Sequence, residues 1–582
     1  MASTSRVPVP GVRVAPNRVF TGRLAQAGSG RYEQFGLTPR PCGGAGAGQR
    51  LSTNVKRSSS RLGFGRVLRR GAEPAALPWA RGLIQVHDSD TYDLAIIGGG
   101  INGTGIAADA AGRGLKVILA EAGDLGGATS SASSKLIHGG LRYLEHLELR
   151  LVREALAERE VLLAMAPHIV RPLRFVLPHM PGMRPRALLR AGLLLYDHLS
   201  RRRTIKPSRR LDLTTDVAGA ALDPSLRVGF EYWDCWVDDA RLVVLNARLA
   251  ADRGARILTR SRVAGARAED GRWVLSVATP AGPAMVSARV LVNAAGPWAG
   301  VLGEQIEGAS RPRLRMVKGS HIVVERRWPG DQAYVLQNPD RRVVFALPFE
   351  ERFTLIGTTD VPFSGDPAGV AASAEEERYL IAAANRFLAR PMRSADVVWR
   401  FAGVRPLYDD AAADASRVTR DYRLELAADA GRPALLSVLG GKITTYRRLA
   451  QSALALLSPH LPPHGPAWTH ATTLPGGDLG PRGMPGLIDD LTDRWPALER
   501  AYLTRLAHRY GSEAPVILGD ARRPRDLGHR LGALLSEREV HHLKAREWAT
   551  TPEDVLWRRT KAGLHLAAAD REDAEQMVAR ML

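Results

Sequence analysis

The stretch TYDLAIIGGGINGTGIAADAAGRGLKVILAE (91–121) restricts the fold more than any other part of the 582 residues. A short apolar run, Leu94 to Ile97, meets three glycines. A helix of small residues follows, closed by Gly112 and Gly114. A second apolar run then ends on Glu121. This is the pattern of a strand–turn–helix–strand unit, the building block of a parallel sheet flanked by helices. In Gly98-x-Gly100-x-x-Gly103, the first glycine permits a tight turn and the second lets backbone approach a pyrophosphate. The third lets helix pack on strand. The helix N-terminus points free N–H groups and partial positive charge at the phosphates. Glu121, at the end of the second strand, accepts hydrogen bonds from a ribose diol and repels a 2′-phosphate. That favours FAD or NAD over NADP. Spacing does not separate those two, although a long chain after the motif suits an extended FAD that takes contacts from distant segments.

Further along, ARVLVNAAGPWAG (288–300) reads as a buried strand ending in a Gly-Pro turn. The EDG at 269–271 is a hairpin signal, and 341–358 reads as a strand pair. From about 485 to the end the pattern is helical. Cys42 and Cys235 are the two cysteines, too few for a disulfide framework, and a reducing compartment is expected. No run of eighteen apolar residues occurs. The richest stretch, 187–199, is interrupted by Arg190 and Asp197, so no membrane-spanning helix is expected.

The net charge of +21 is unevenly placed. Residues 1–89 hold 14 Lys+Arg against 3 Asp+Glu, a net of +11, and lack hydrophobic periodicity. They are read as a disordered basic extension. A targeting segment, a solvated tail and a mis-assigned start all remain open for them. Residues 171–210 hold 11 Lys+Arg against one acid, Asp197. Such a cluster attracts phosphate-bearing surfaces. A nucleic-acid-binding protein is the alternative of a different class. Against it stand 6% aromatic residues and the absence of a recognised binding module.

The segment from Tyr92 through SSKLIHGGLRYLE (133–145) strongly resembles the FAD-dependent glycerol-3-phosphate dehydrogenases of the respiratory, membrane-associated type. Matching blocks follow at EYWDCWVDDARLV (231–243), NAAGPW (293–298), KGSHIVV (318–324), IGTTD (356–360), GVRPL (403–407), TRDY (419–422), LGGKITTYRRLA (439–450) and DVLWRRTKAGL (554–564). The resemblance covers roughly 90–575. It implies an α/β fold: a Rossmann-like FAD-binding domain, an antiparallel-sheet substrate domain and a C-terminal helical domain. FAD-binding segments are expected at about 90–180, 230–310 and 400–455. Substrate-domain segments are expected at 180–230 and 310–400, and the helical domain at 466–582. No EF-hand loop pattern occurs near the C-terminus, which fits the bacterial branch.

The implied reaction oxidises sn-glycerol 3-phosphate to dihydroxyacetone phosphate, with FAD reduced and electrons passed to membrane quinone. An oxidase that uses oxygen is the alternative within the class. Arginine forks suit the phosphate, and the resemblance assigns Arg142, Arg405 and Arg420 to it, with Tyr143 and Thr358 alongside. His138 is the candidate base for the C2 hydroxyl, since an imidazole titrates in the right range. The alternatives are a histidine that only hydrogen-bonds, or an arginine or water that holds the alkoxide. Arg405 is the second catalytic candidate. FAD contacts are expected from Gly98, Gly100, Ile101, Asn102, Gly103, Glu121, Ser130, Ser131, Ser134, Lys135, Leu136, His138, Gly140, Val263, Gly296, Gly441, Lys442, Thr444 and Thr445. Gly440-Gly441 are expected to open a helix with Lys442 at its start. No metal site is expected, because the histidines lack Cys or acid partners at ligand spacing. Expected partners are the quinone, an anionic lipid surface met by the 171–210 face, and a second copy in a homodimer. The expected location is the cytoplasmic face of the inner membrane.

Overall fold

The computed structural model describes residues 91–582, apart from 181, 202–203, 310–312, 341, 409–420 and 430, and without the side chains of Arg142, Glu145 and His146. The basic extension at 1–89 and Arg420 lie outside the described residues.

Strand Tyr92–Ile97 sits mid-sheet with Leu94, Ala95 and Ile96 buried, as a parallel strand covered on both faces requires. It pairs in parallel with Gly282–Asn293 on one side and Val117–Ala120 on the other. The sheet runs Arg423–Ala427, Leu435–Leu439, Gly282–Asn293, Tyr92–Ile97, Val117–Ala120, Arg256–Leu258. The hairpin Arg262–Glu269 and Arg272–Thr279 attaches to the outer half of Gly282–Asn293 and turns at Asp270-Gly271, where the EDG signal stands. Helix Ile101–Gly112 packs on helices Asp239–Asp252 and Tyr446–Leu457. Its small residues allow this: a Cβ on Gly105 would fall 2.6 Å from the Tyr446 ring.

The second sheet has ten strands. Its pairings are antiparallel except between Ala333–Gln337 and Val170–Pro178. Val170–Pro178 pairs along its length with Val228–Val237, and Leu314–Glu325 pairs with Val397–Tyr408. Strands 170–178, 228–237 and 397–408 therefore belong to this sheet. The segment boundaries expected near 180, 230 and 400 are displaced accordingly, because an apolar strand carries no mark of which sheet it joins. Helix Ala374–Asn385, opened by a Ser373/Glu376 capping box, covers one face.

The C-terminal helices Gly483–Arg494, Arg500–Tyr510, Glu537–Glu547 and Arg571–Met581 enclose their own core, with Tyr502, Leu506, Val540, Leu543 and Val578 buried. The helical run breaks at Trp495-Pro496, where the proline lacks an N–H.

Candidate active site

The turn after Tyr92–Ile97 brings backbone segments too close for side chains. A Cβ on Gly103 would lie 1.9 Å from the Gly98 carbonyl oxygen. One on Gly98, at φ +112°, would lie 2.5 Å from the Ala294 carbonyl oxygen. Both Glu121 oxygens accept backbone amides, from Gly99 at 2.6 Å and Gly123 at 2.7 Å. Burial raises the Glu121 pKa above the ordinary carboxylate value, outweighing those two bonds, and nearby Asp124 adds to the rise. Donors from a ribose diol act against that shift. Asn102 donates to the Gly440 carbonyl at 3.0 Å, while its buried Oδ1 has no partner among the described residues. The glycine cradle, the carboxylate and the orphaned acceptor fit a hydroxyl-rich dinucleotide such as FAD. Ser130 Oγ accepts from Ile101 N–H at 3.0 Å, at the mouth of the helix.

The following loop splits its polar groups between interior and cavity. Lys135 is buried, and its ammonium donates to the Ser131 carbonyl at 3.0 Å and to Asp239 at 2.8 Å. It braces the serine loop against helix Asp239–Asp252 and does not face the cavity. Ser134 Oγ lies 2.9 Å from Nε2 of His321, whose ring stacks on Phe401. Burial, then the charges of Arg405 and Lys135, hold the His321 pKa well below the usual value, so the ring is neutral. Leu136 and His138 line the cavity. The His138 N–H donates to Thr444 Oγ1 at 3.3 Å, and its ring meets the Phe345 edge. Gly140 has φ +75°, and a Cβ there would sit 2.2 Å from the Tyr143 ring. It starts the short 3₁₀ helix Leu141–His146, which carries Arg142 and Tyr143.

Lys442 Nζ lies 3.9 Å from the centre of the Tyr143 ring. The helix expected at Gly440-Gly441 begins later, at Tyr446–Leu457 with Thr445 as its cap residue. Gly440 and Gly441 stand at φ +74° and +99°, which no right-handed helix admits, so Lys442 occupies a turn. Across the cavity, Arg405 on strand Val397–Tyr408 is ion-paired with Asp360 and donates to Thr358 Oγ1 at 3.1 Å.

One cavity of about 1370 Å³ joins Ile101, Ser130, Ser134, His138, Gly441 and Thr444 to Tyr143, Lys442, Thr358 and Arg405. It continues past Phe345 and Met180 to Leu188, Leu189 and Leu195 on helix Arg186–His198. Of the expected cofactor contacts, Gly98, Gly100, Asn102, Gly103, Glu121, Ser131, Lys135, Val263, Gly296 and Thr445 do not line it. Val263 follows Ser261, whose N–H donates to the Glu121 carbonyl at 2.7 Å. Gly296 follows the end of strand Gly282–Asn293. Among the described residues no group of three or more His, Cys, Asp or Glu is arranged to hold a metal.

Residues 93–447 match the family described as FAD dependent oxidoreductase, and 467–582 the C-terminal domain of alpha-glycerophosphate oxidase. The chain is 52% identical over 485 residues to a glycerol-3-phosphate dehydrogenase of Pseudomonas aeruginosa, covering 83% of this chain and 94% of that one. The chain belongs to the FAD-dependent glycerol-3-phosphate dehydrogenase family. It is 47% identical over 496 residues to the aerobic glycerol-3-phosphate dehydrogenase of Escherichia coli K12, covering 84% and 97%. It is 48% identical over 487 residues to a D-erythritol 1-phosphate dehydrogenase of Brucella abortus, covering 83% and 97%. The solved structure of the Bacillus halodurans glycerol-3-phosphate dehydrogenase complexed with FAD superposes with a TM-score of 0.68 at 28% identity, covering 84% of this chain and 90% of that one.

Three residues that the sequence reading passed over belong to the structure of this glycerol-3-phosphate dehydrogenase site. Asp360 orients Arg405, and it stands two residues after Thr358 in the quoted IGTTD block. His321, inside KGSHIVV, holds Ser134. Asp239, inside WVDD, holds Lys135.

Proposed function

We propose that the protein oxidises sn-glycerol 3-phosphate at C2 to dihydroxyacetone phosphate, and that the electrons leave to a membrane quinone. The observation that carries this reading is the cavity that runs from Ile101 and Ser130, at the mouth of the helix that follows the glycine turn, past an ordered arginine, to an apolar end. FAD bound in the cradle supplies the hydride acceptor. Arg405, oriented by Asp360 and Thr358, offers its guanidinium to the phosphate, with Tyr143 on the same cavity; the family resemblance adds Arg142 and Arg420 to that role. His138 takes the C2 hydroxyl proton as hydride departs. Lys442, beside Tyr143, offsets negative charge that arrives with the electrons.

The acceptor half of the reading rests on helix Arg186–His198. Leu188, Leu194 and Leu195 are exposed on it, with Arg186 and Arg201 nearby. Apolar side chains flanked by arginine suit the interface of an anionic leaflet. Leu188 and Leu195 also line the cavity mouth, so a quinone dissolved in lipid has an entry there. No helix among the described residues is long and apolar enough to cross a membrane. The reading is of a peripheral enzyme on the cytoplasmic leaflet.

An anaerobic visible spectrum tests the chemistry. A bound yellow chromophore should bleach with glycerol 3-phosphate, and D-erythritol 1-phosphate serves as the competing substrate. A colour untouched by glycerol 3-phosphate defeats the proposal. Stoichiometric peroxide under air would assign the protein to the oxidases. Flotation with phosphatidylglycerol vesicles tests docking: wild type should float, and the Leu188→Glu, Leu195→Glu double variant should not.

A further inference from the structure

The loop that begins with Glu121 ends at Asp124, and the Asp124 carboxylate is held by the C-terminal domain. Arg559 donates Nη1 to one of its oxygens at 2.6 Å and Nη2 to the other at 2.7 Å. Arg558 Nε adds a third bond at 2.6 Å. The Asp124 and Arg559 side chains are 3% and 0% exposed. The same short π-helical segment, Asp554–Arg559, reaches a second point beside Glu121. Asp554 accepts from Arg260 Nη2 at 2.7 Å, and the Arg260 N–H donates to the Gly123 carbonyl at 2.8 Å. The Gly123 N–H in turn donates to Glu121 Oε1. The Glu121 loop is therefore held from two sides by one segment of the C-terminal domain.

A buried ion pair is weak evidence for stability, because desolvation offsets much of its attraction. What it supplies here is position. The C-terminal domain has other anchors for its attachment. Glu547 pairs with Arg241, Glu513 with Arg248, and Lys561 with Asp238, all at helix Asp239–Asp252 or its cap. The Asp124 clamp is thus additional to docking, and it acts on the loop that carries Glu121, the carboxylate whose spacing from the glycine turn suits a ribose.

We propose that Arg558, Arg559 and Asp554 are positioning residues for FAD: the C-terminal domain sets FAD affinity by clamping the Glu121 loop from outside. FAD and the docked segment stabilise the same loop conformation, so each strengthens the other by the same factor.

The test uses the full-length holoenzyme and the variants Arg559→Met and Asp124→Asn. FAD is removed and titrated back by flavin fluorescence, and kinetics are measured at saturating FAD. The FAD Kd should rise about tenfold, within the range of roughly 5–150-fold seen for coupled sites. The KM for glycerol 3-phosphate should stay within about twofold. A lowered melting temperature with an unchanged Kd would assign the clamp to stability alone and overturn the proposal. A variant that fails to fold is replaced by a measurement on wild type. Hydrogen exchange of the amides of Thr550 and Thr551, which donate to Asp554, should quicken when FAD is removed, and unchanged exchange overturns the proposal. A wild type that takes no FAD would sink the cofactor reading and the clamp together, whereas FAD binding with unaltered Kd in both variants sinks the clamp alone.

Discussion

Replacing Arg405 by Met should cut kcat/KM for glycerol 3-phosphate by about two orders of magnitude and leave turnover of glycerol, which lacks the phosphate, almost unchanged. Met keeps the stem against strand Leu314–Glu325 and removes the guanidinium. In the structure that group is already ordered, by Asp360 on one side and Thr358 on the other, so substrate binding costs little further ordering. A hydrogen bond to a charged group contributes about 1.5–3 kcal/mol. Two such bonds to phosphate are taken at the lower end, because the side chain is 29% exposed and Asp360 neutralises part of its charge. The loss is then about 3 kcal/mol, or roughly 150-fold. The assay is steady-state reduction of a short-chain quinone with each substrate, normalised to FAD content from the visible spectrum. An equal loss on glycerol would place Arg405 at the reacting carbon. A loss of less than about threefold on glycerol 3-phosphate would remove it from the phosphate subsite, and either result refutes the reasoning.

Burial raises the Glu121 pKa, so the carboxylate takes up a proton as pH falls toward that value, and the ribose loses an acceptor. FAD should bind the apoprotein progressively more weakly as pH falls through that raised pKa, and Glu121→Gln should flatten the dependence in a fluorescence titration. By the same sign the apoprotein gains stability from this group as pH falls through the raised pKa, since the buried charged form is the costly one. Asp239→Asn leaves the buried Lys135 ammonium without its counter-charge, a loss of about 3–5 kcal/mol. Over roughly 490 residues, at about 2.1 cal/mol/K each, calorimetry should show a fall in Tm of about 3–5 °C, and adding Lys135→Met should recover most of it. Gly140→Ala forces a Cβ to 2.2 Å from Tyr143 at a positive φ. It should raise KM for glycerol 3-phosphate with FAD content preserved, and an unchanged KM would show that Tyr143 has no part in substrate binding.

The strand–turn–helix–strand unit was legible because its evidence is local: a period, three glycines and an acid at fixed spacing. The hairpin at Asp270-Gly271 was legible for the same reason. Gly440-Gly441 was not, because two glycines serve equally to open a helix or to hold a left-handed turn, and the neighbouring sequence does not choose. The assignment of strands to sheets was hidden for a comparable reason, since Val228–Val237 carries the same apolar content it would carry in either sheet. The fates of charged side chains were the least legible. Lys135 looks like a cofactor contact in its own segment, yet its counter-charge Asp239 lies 104 residues away. Ser134 reaches His321 across 187 residues, and Arg405 reaches Asp360 across 45. Pairings of that range are set by packing of whole sheets, which no local pattern records.

The histidine-bearing loop SSKLIHGGLRYLE is where the parts of the site meet, and its two glycines serve different neighbours. Gly140 turns the chain so that Tyr143 comes under Lys442. Gly139 does something else: its N–H donates to Tyr196 Oη at 2.8 Å, and Tyr196 donates to Asp234 at 2.7 Å, with Arg159 on the other oxygen of that carboxylate at 2.6 Å. Tyr196 belongs to helix Arg186–His198, whose outer leucines line the cavity mouth. A side chain larger than hydrogen at Gly139 would meet Leu156 and the Tyr196 hydroxyl within 2.6 Å, so helix and loop are packed without slack. Interiors so close-packed transmit displacement instead of absorbing it. The amphipathic helix is thus tied, through Tyr196, to the residue next to His138. One buried tyrosine and one peptide N–H join the helix at the cavity mouth to the loop that carries His138.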